Sequence, residues 1–276
     1  MSATVEPFGR NTDAAVEVAA PLSWRGPGSL LRGLALPAGL LVFWQILSHS
    51  RMVSPFLLPT PVQVLAALKL LASSGLLVSS ADISLQRLVL GYLIGIAIGL
   101  PLGIVLAVSP LARKIIAPSF YAIARVPLLA WIPFLMVIFG IGEALKLSII
   151  AKAALTPVTI NTEHAIAAIP KGWLELGRLY RLSLFTTLRR ILLPATLLPV
   201  FTGLRLGLVQ AWSALVVVEL LASTRGLGYQ LTMSRQLFQL DTMFALMLVI
   251  GVIGFGLDRG LATIEALLVH RYGRQA

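Results

Sequence analysis

Residues 82–108 read DISLQRLVLGYLIGIAIGLPLGIVLAV. The stretch carries no charge after Arg87 and exceeds the roughly 20 apolar residues that a helix needs to cross a bilayer. Gly91, Gly95, Gly99 and Gly103 recur every four residues, so they share one helical face. Each glycine costs roughly 1 kcal/mol of helix propensity, which close packing must offset. A ridge of small residues lets a second helix approach at short range. That second helix is expected within the same chain rather than across a dimer seam. The stretch therefore predicts an all-α membrane protein held together by tight helix contacts.

The remaining composition agrees. Of 276 residues, 58% are hydrophobic and 12% are charged, and the mean hydropathy is +0.91. A soluble domain carries about twice that charged fraction. The alternation over roughly ten residues that marks a barrel strand is missing. The net charge of +11 does not point to nucleic acid. The basic residues sit mostly between apolar stretches, where the positive-inside rule places them. They also lack the interleaved aromatics of single-strand binders. There is no cysteine, so disulfides and thiolate metal sites are excluded. His49, His164 and His270 are far apart and form no metal-binding motif.

Outward from 82–108, the chain divides as follows. Residues 1–29 are polar, with no apolar core after a basic start, and are expected to be a disordered cytoplasmic tail. A first span covers 30–48. Pro59 and Pro61 then break the chain, and a short helix over 58–76 is expected on the outer face, started by Pro61. Residues 82–269 form the core, with spans at 82–108, 117–139, 143–162, 195–221 and 242–268. The third of the six spans, 117–139, is interrupted by Pro127 and Pro133, an irregularity tolerated only against protein or a wet cavity. Residues 222–241 read as an outer loop, and 163–194 as a cytoplasmic loop. Lys and Arg number twelve on the side of both termini and of 163–194 against four on the other. That side is therefore cytoplasmic.

Within the loop, residues 171–194 read KGWLELGRLYRLSLFTTLRRILLP, the longest polar interruption, with five basic residues. At helical spacing Lys171, Glu175 and Arg178 share one face, and Trp173, Leu176 and Tyr180 share the opposite one. Such a helix lies on lipid headgroups or docks on a partner protein. The spacing of Glu175, Ile191, Leu193 and Pro194 resembles the coupling-loop signature of bacterial ABC-importer permeases: Glu-Ala-Ala, three residues, Gly, nine residues, Ile-x-Leu-Pro. Leu176 and Gly177 stand for the alanines. Arg181 stands for the glycine, where a left-handed turn costs a side chain on the order of 1–2 kcal/mol. Either the helix continues through Arg181 or the chain turns elsewhere.

The resemblance extends from Leu58 onward. Leu58-Pro59-Thr60-Pro61, Ser84-Leu85 with Arg87, the glycines from Gly91 to Gly103, and Pro127 all fall as in one branch of these permeases. So do Ala130-Trp131 with Pro133, Phe139-Gly140-Ile141-Gly142-Glu143 with Lys146, and Asn161-Thr162. That branch is the nitrate, taurine and aliphatic-sulfonate group. It implies a type I importer permease that pairs with a second copy, engages a pair of cytoplasmic ABC ATPases and receives solute from an extracytoplasmic binding protein. ATP and magnesium would sit on the ATPase. This chain has no phosphate loop, since Gly172 and Gly177 lead into Arg178-Leu179 rather than Lys and Ser or Thr. It would bind no cofactor and catalyse no reaction.

In that setting Trp173, Leu176 and Tyr180 would fill an apolar ATPase cleft, with Glu175 and Arg178 at its rim. Ionisable residues inside spans are expensive and default to functional candidates. Here these are Arg87, Arg125, Lys152, Arg205 and Glu219. Arg205, Trp212 and Glu219, seven apart, share a face. Four of the five charges are basic, which suits an anionic solute: an aliphatic sulfonate first, then taurine or nitrate, then neutral or cationic solutes such as pyrimidine precursors. The bland alternative is that Arg87 snorkels and that Arg205 and Glu219 bond helices together. The rival class is an ion-coupled secondary transporter, which predicts inverted repeats that the chain does not show. A membrane enzyme would need a nucleophile or metal constellation, and none is evident.

Overall fold

The computed structural model describes residues 27–50, 57–170, 172, 179, 186 and 193–272, with 27–34, 193–194 and 269–272 described by their backbone alone. The chain divides into two units, 1–53 and 54–276. The described part of the first is helix α1 (Pro27–His49), which contains Pro37. At about 1.5 Å per residue its 23 residues are long enough for a span. The expected tail lies almost wholly outside the described residues.

The second unit begins with α2 (Pro61–Ser73). Thr60 caps it, accepting from the Gln63 N–H while the Gln63 side chain accepts from the Thr60 N–H. This reciprocal capping, with Pro61 in the first turn, explains why the helix starts where the prolines end. Gly75, at φ +73°, turns the chain directly into α3 (Leu76–Val108). The second span therefore starts six residues earlier than expected, because Leu76–Ala81 extends the helix instead of forming a loop.

The third span is corrected more substantially. α4 (Pro110–Ala124) starts on Ser109, whose hydroxyl accepts from the Ala112 N–H. The basic pair Arg113-Lys114 thus lies on a helix. α5 (Leu128–Phe139) follows after a break at 125–127, and the two helices are bent by 102°. Of the two prolines, only Pro127 ends a helix; Pro133 sits inside α5. Pro127 lacks an N–H and pushes the residue before it out of the helical region. Together α4 and α5 have the length and apolarity of one span, either broken or re-entrant.

Gly140, at φ +67°, closes α5 and leads into α6 (Glu143–Ala167), which runs five residues past the predicted end. α7 (Leu193–Ala222) and α9 (Leu240–Tyr272) cover the stretches expected as the fifth and sixth spans. The outer loop between them is itself helical over α8 (Leu227–Gln236), started by Gly226 at φ +112°.

Helix α6 lies between α3 and α7. A Cβ on Gly91 would meet the Ile150 side chain at 2.7 Å, one on Gly95 the Ala151 carbonyl at 2.7 Å, and one on Gly103 the Thr159 carbonyl at 2.7 Å. The glycine ridge of α3 thus packs on α6 within the chain, as the spacing predicts. From the other side Gly203 and Gly207 of α7 press on Asn161, Val158 and the Ala154 carbonyl. Ile132, Leu145, Ile149, Ala153, Ala214, Val218 and Ala222 form the core where α5, α6 and α7 meet. Among the described residues, α3, α7 and α9 are each long and apolar enough to cross a membrane alone. α6, with Glu143, Lys146, Lys152 and Glu163, is not among them. Lys146 and Glu163 are buried against neighbouring helices, while Lys152 is half-buried and Glu143 is exposed at the start of the helix.

Candidate functional site

The charged side chains of the helices gather in separate places. The first is the end of the bundle where α3 and α6 begin and α7 ends. There Arg87, on α3, forms a bidentate pair with Glu143, the first residue of α6, at 2.8 Å from Nε and 2.6 Å from Nη2. Its Nη1 donates to Glu219 of α7 at 2.8 Å and to the Arg225 carbonyl at 2.7 Å. Lys146 completes the cluster, 2.8 Å from Glu143. Ser84 Oγ lies 2.8 and 3.0 Å from the two Glu219 oxygens and accepts the Leu227 N–H at 2.9 Å. The Gly228 N–H donates to Glu219 at 3.0 Å. Two cations and two carboxylates thus tie three helices and the α7–α8 link together. The Glu219 carboxylate would clash with any Cβ on Gly226, which is why the link needs glycine there.

The second place is between α7 and α9. Arg205 pairs with Asp258 through two bonds of 2.6 and 2.8 Å. They sit beside a cleft of about 340 Å³ lined by Leu208, Val209, Trp212, Gly254, Leu257 and Asp258. Gly254 is required here, since a Cβ would meet Trp212 Nε1 at 2.7 Å. The third place is where α6 ends and α4 begins. Glu163, buried, accepts from the Tyr121 hydroxyl at 2.7 Å and lies 3.6 Å from Arg113.

The sequence candidates therefore separate. Arg87 and Glu219 join each other in a buried cluster, and Arg205 bonds two helices. Arg125 is exposed at the α4–α5 bend. Lys152 is half-buried in mid-α6, its ammonium 5.0 Å from the centre of the Trp131 ring. Trp212 is buried, and the face it shares with Arg205 and Glu219 forms no single site. Asp258, Glu163 and Tyr121 are absent from the sequence candidates. Asp258 was findable as an ionisable residue inside the 242–268 span, beside Arg259 and Glu265; the other two had no local signal. Of the coupling residues, Trp173, Glu175, Leu176, Gly177, Arg178, Tyr180, Arg181 and Ile191 lie outside the described residues. Leu193 and Pro194 open α7.

Residues 99–268 match the family described as binding-protein-dependent transport system inner membrane component. The chain belongs to this family of permeases. The permease is 34% identical over 239 residues to the putative aliphatic sulfonates transport permease protein SsuC of Bacillus subtilis, covering 87% of each chain. It is 32% identical to the taurine transport system permease protein TauC of Escherichia coli, over 91% of this chain and 94% of that one. With the nitrate import permease protein NrtB of Synechocystis it shares 28% over 90% and 93%. Its fold is that of a chain of the MetNI methionine ABC transporter in an inward-facing form, with TM-score 0.61 and 21% identity over 70% of this chain and 95% of that one. It is thus an importer subunit of the nitrate, taurine and sulfonate branch, a multi-pass inner-membrane protein and not an enzyme.

Proposed function

We propose that this permease forms, with a second copy of itself, the channel of an ATP-driven importer for a small anion, an aliphatic sulfonate before taurine, nitrate or a pyrimidine precursor. The observation that supports an anion is the agreement of the relatives: those named for sulfonates, taurine and nitrate all take small solutes carrying an oxyanion group. An extracytoplasmic binding protein delivers the solute. Both termini and the 171–194 stretch lie in the cytoplasm, in keeping with the distribution of Lys and Arg. ATP and magnesium act on the partner ATPase, and this chain transmits force by moving its helices between outward and inward access.

In this reading Trp173, Leu176 and Tyr180 seat the coupling helix in the ATPase, with Glu175 and Arg178 at the edge of the contact. Ile191, Leu193 and Pro194 pass the movement into α7, the helix that packs on the glycine-matched face of α6. The test is uptake of labelled ethanesulfonate, taurine and nitrate by cells carrying the permease with its ATPase and binding protein, against cells lacking the permease. Glu175→Lys is expected to leave membrane insertion unchanged and to reduce uptake at least tenfold. Uptake at the normal rate in that variant rejects the coupling assignment.

A further inference from the structure

Helix α6 buries one face against α3 and another against α7, and its third face is polar. Ser148, Lys152 and Thr156, spaced by four, are all half-buried there. The hydroxyls of Ser148 and Thr156 donate back to the Ala144 and Lys152 carbonyls, so they claim none of the charge on Lys152. Lys152 stands at the tenth position of the 25-residue α6, near its middle. Arg87, Lys146, Arg205 and Arg113 each have a carboxylate within 4.0 Å. Lys152 has no ion pair among the described residues. Its neighbour is instead the face of Trp131, on α5, which holds a cation without neutralising it.

Trp131 adds a second observation. Its indole N–H is buried and has no acceptor among the described residues. The ring packs against the core cluster where α5, α6 and α7 meet. The indole is therefore fixed, and the lysine above it is aimed. A positive charge in mid-helix with no carboxylate among the described residues, beside an unmet N–H donor, calls for an acceptor that these helices do not supply.

We propose that Lys152, positioned by Trp131, is an anion-binding station on the open polar face of α6, taking the oxyanion group of a small sulfonate, sulfonate-like or nitrate solute in passage. This rests on the reading of the chain as an importer of small anions. The ammonium meets the solute first, since the indole N–H is covered in this conformation. The station sits in mid-helix, remote from both ends, so a lipid headgroup does not reach it. A competing acceptor is a carboxylate of the second copy.

The test uses the complete transporter in proteoliposomes with ethanesulfonate, taurine and nitrate as probes. Lys152→Met is expected to lower uptake of the transported anion at least tenfold, Lys152→Arg by less than threefold, and Lys152→Glu by more than Lys152→Met. Trp131→Leu is expected to fall between Lys152→Arg and Lys152→Met. In all four variants the permease pair and the ATPase are expected to co-purify as in the unaltered protein. Wild-type uptake by Lys152→Met overturns the station and leaves the importer reading standing. Loss of the permease pair in Lys152→Met also overturns it, since the lysine would then serve a carboxylate of the second copy. If the unaltered transporter moves none of the three anions, or moves a neutral solute instead, the anion reading and the station fall together.

Discussion

Glu219 has its carboxylate wholly buried, and Arg87 Nη1, Ser84 Oγ and the Gly228 N–H converge on it. Burying a carboxylate without partners is prohibitive, and burying it with a full set of donors is tolerable. The residue therefore reads as a fastening between helices rather than as a solute ligand. Removing it leaves Glu143 as the one carboxylate paired with Arg87 among the described residues and strands the Gly228 N–H. Glu219→Ala is expected to destabilise the protein by about 3 kcal/mol. Glu219→Gln keeps an acceptor oxygen and is expected to cost about 1–2 kcal/mol. Thermal unfolding of the detergent-purified protein measures both, and equal midpoints for Glu219→Ala and the unaltered chain would contradict the fastening role. Arg205 reads in the same way, because the Nε–Nη2 edge of its guanidinium is taken up by Asp258.

At the scale of helices, α6 is the element around which the others are arranged, and glycine is what lets them approach. Between lipid-facing helices there is little hydrophobic driving force, so contact area and close packing supply the association. The ridge is strict: a Cβ on Gly95 would lie 2.7 Å from the Ala151 carbonyl and 2.7 Å from the Ala154 side chain. The first of these is backbone and cannot swing aside. Gly95→Val is expected to destabilise the α3–α6 contact by about 1–3 kcal/mol or more. Gly251 of α9 has nothing within 4 Å of its added Cβ, so Gly251→Ala is expected to be neutral or stabilising by up to about 1 kcal/mol. Yield and unfolding midpoint of the two variants, side by side, separate packing from propensity. Equal losses in both would show that the ridge is not what matters.

For the whole molecule, the bent α4–α5 pair decides the topology. If it crosses the membrane as a broken span, six crossings put both termini in the cytoplasm. If it is re-entrant, five crossings place them on opposite sides. The chain has no cysteine, so single cysteines can be introduced without removing others. With a broken span, Ser73→Cys is expected to react with an impermeant maleimide in intact cells, and Ala276→Cys only after the membrane is opened. Labelling of both in intact cells would show the pair to be re-entrant and would place the C-terminus outside.

The sequence by itself determined what is local or periodic. Long apolar runs marked the chain as an all-α membrane protein, because lipid leaves a backbone few other ways to satisfy its hydrogen bonds. The four-residue spacing of Gly91 to Gly103 predicted the packing ridge, because helical periodicity converts spacing directly into a face. Pro61 marked a helix start because its fixed backbone angle acts without neighbours. Only the tertiary structure decided which charges meet. Arg87, Glu143 and Glu219 come from three helices, and Glu219 is 132 residues from Arg87. Pattern could show that each was costly in a membrane, but not that they neutralise one another. The same holds for Lys152, left with an aromatic face because the packing of α5 on α6 brings Trp131 beside it and no carboxylate of the described residues.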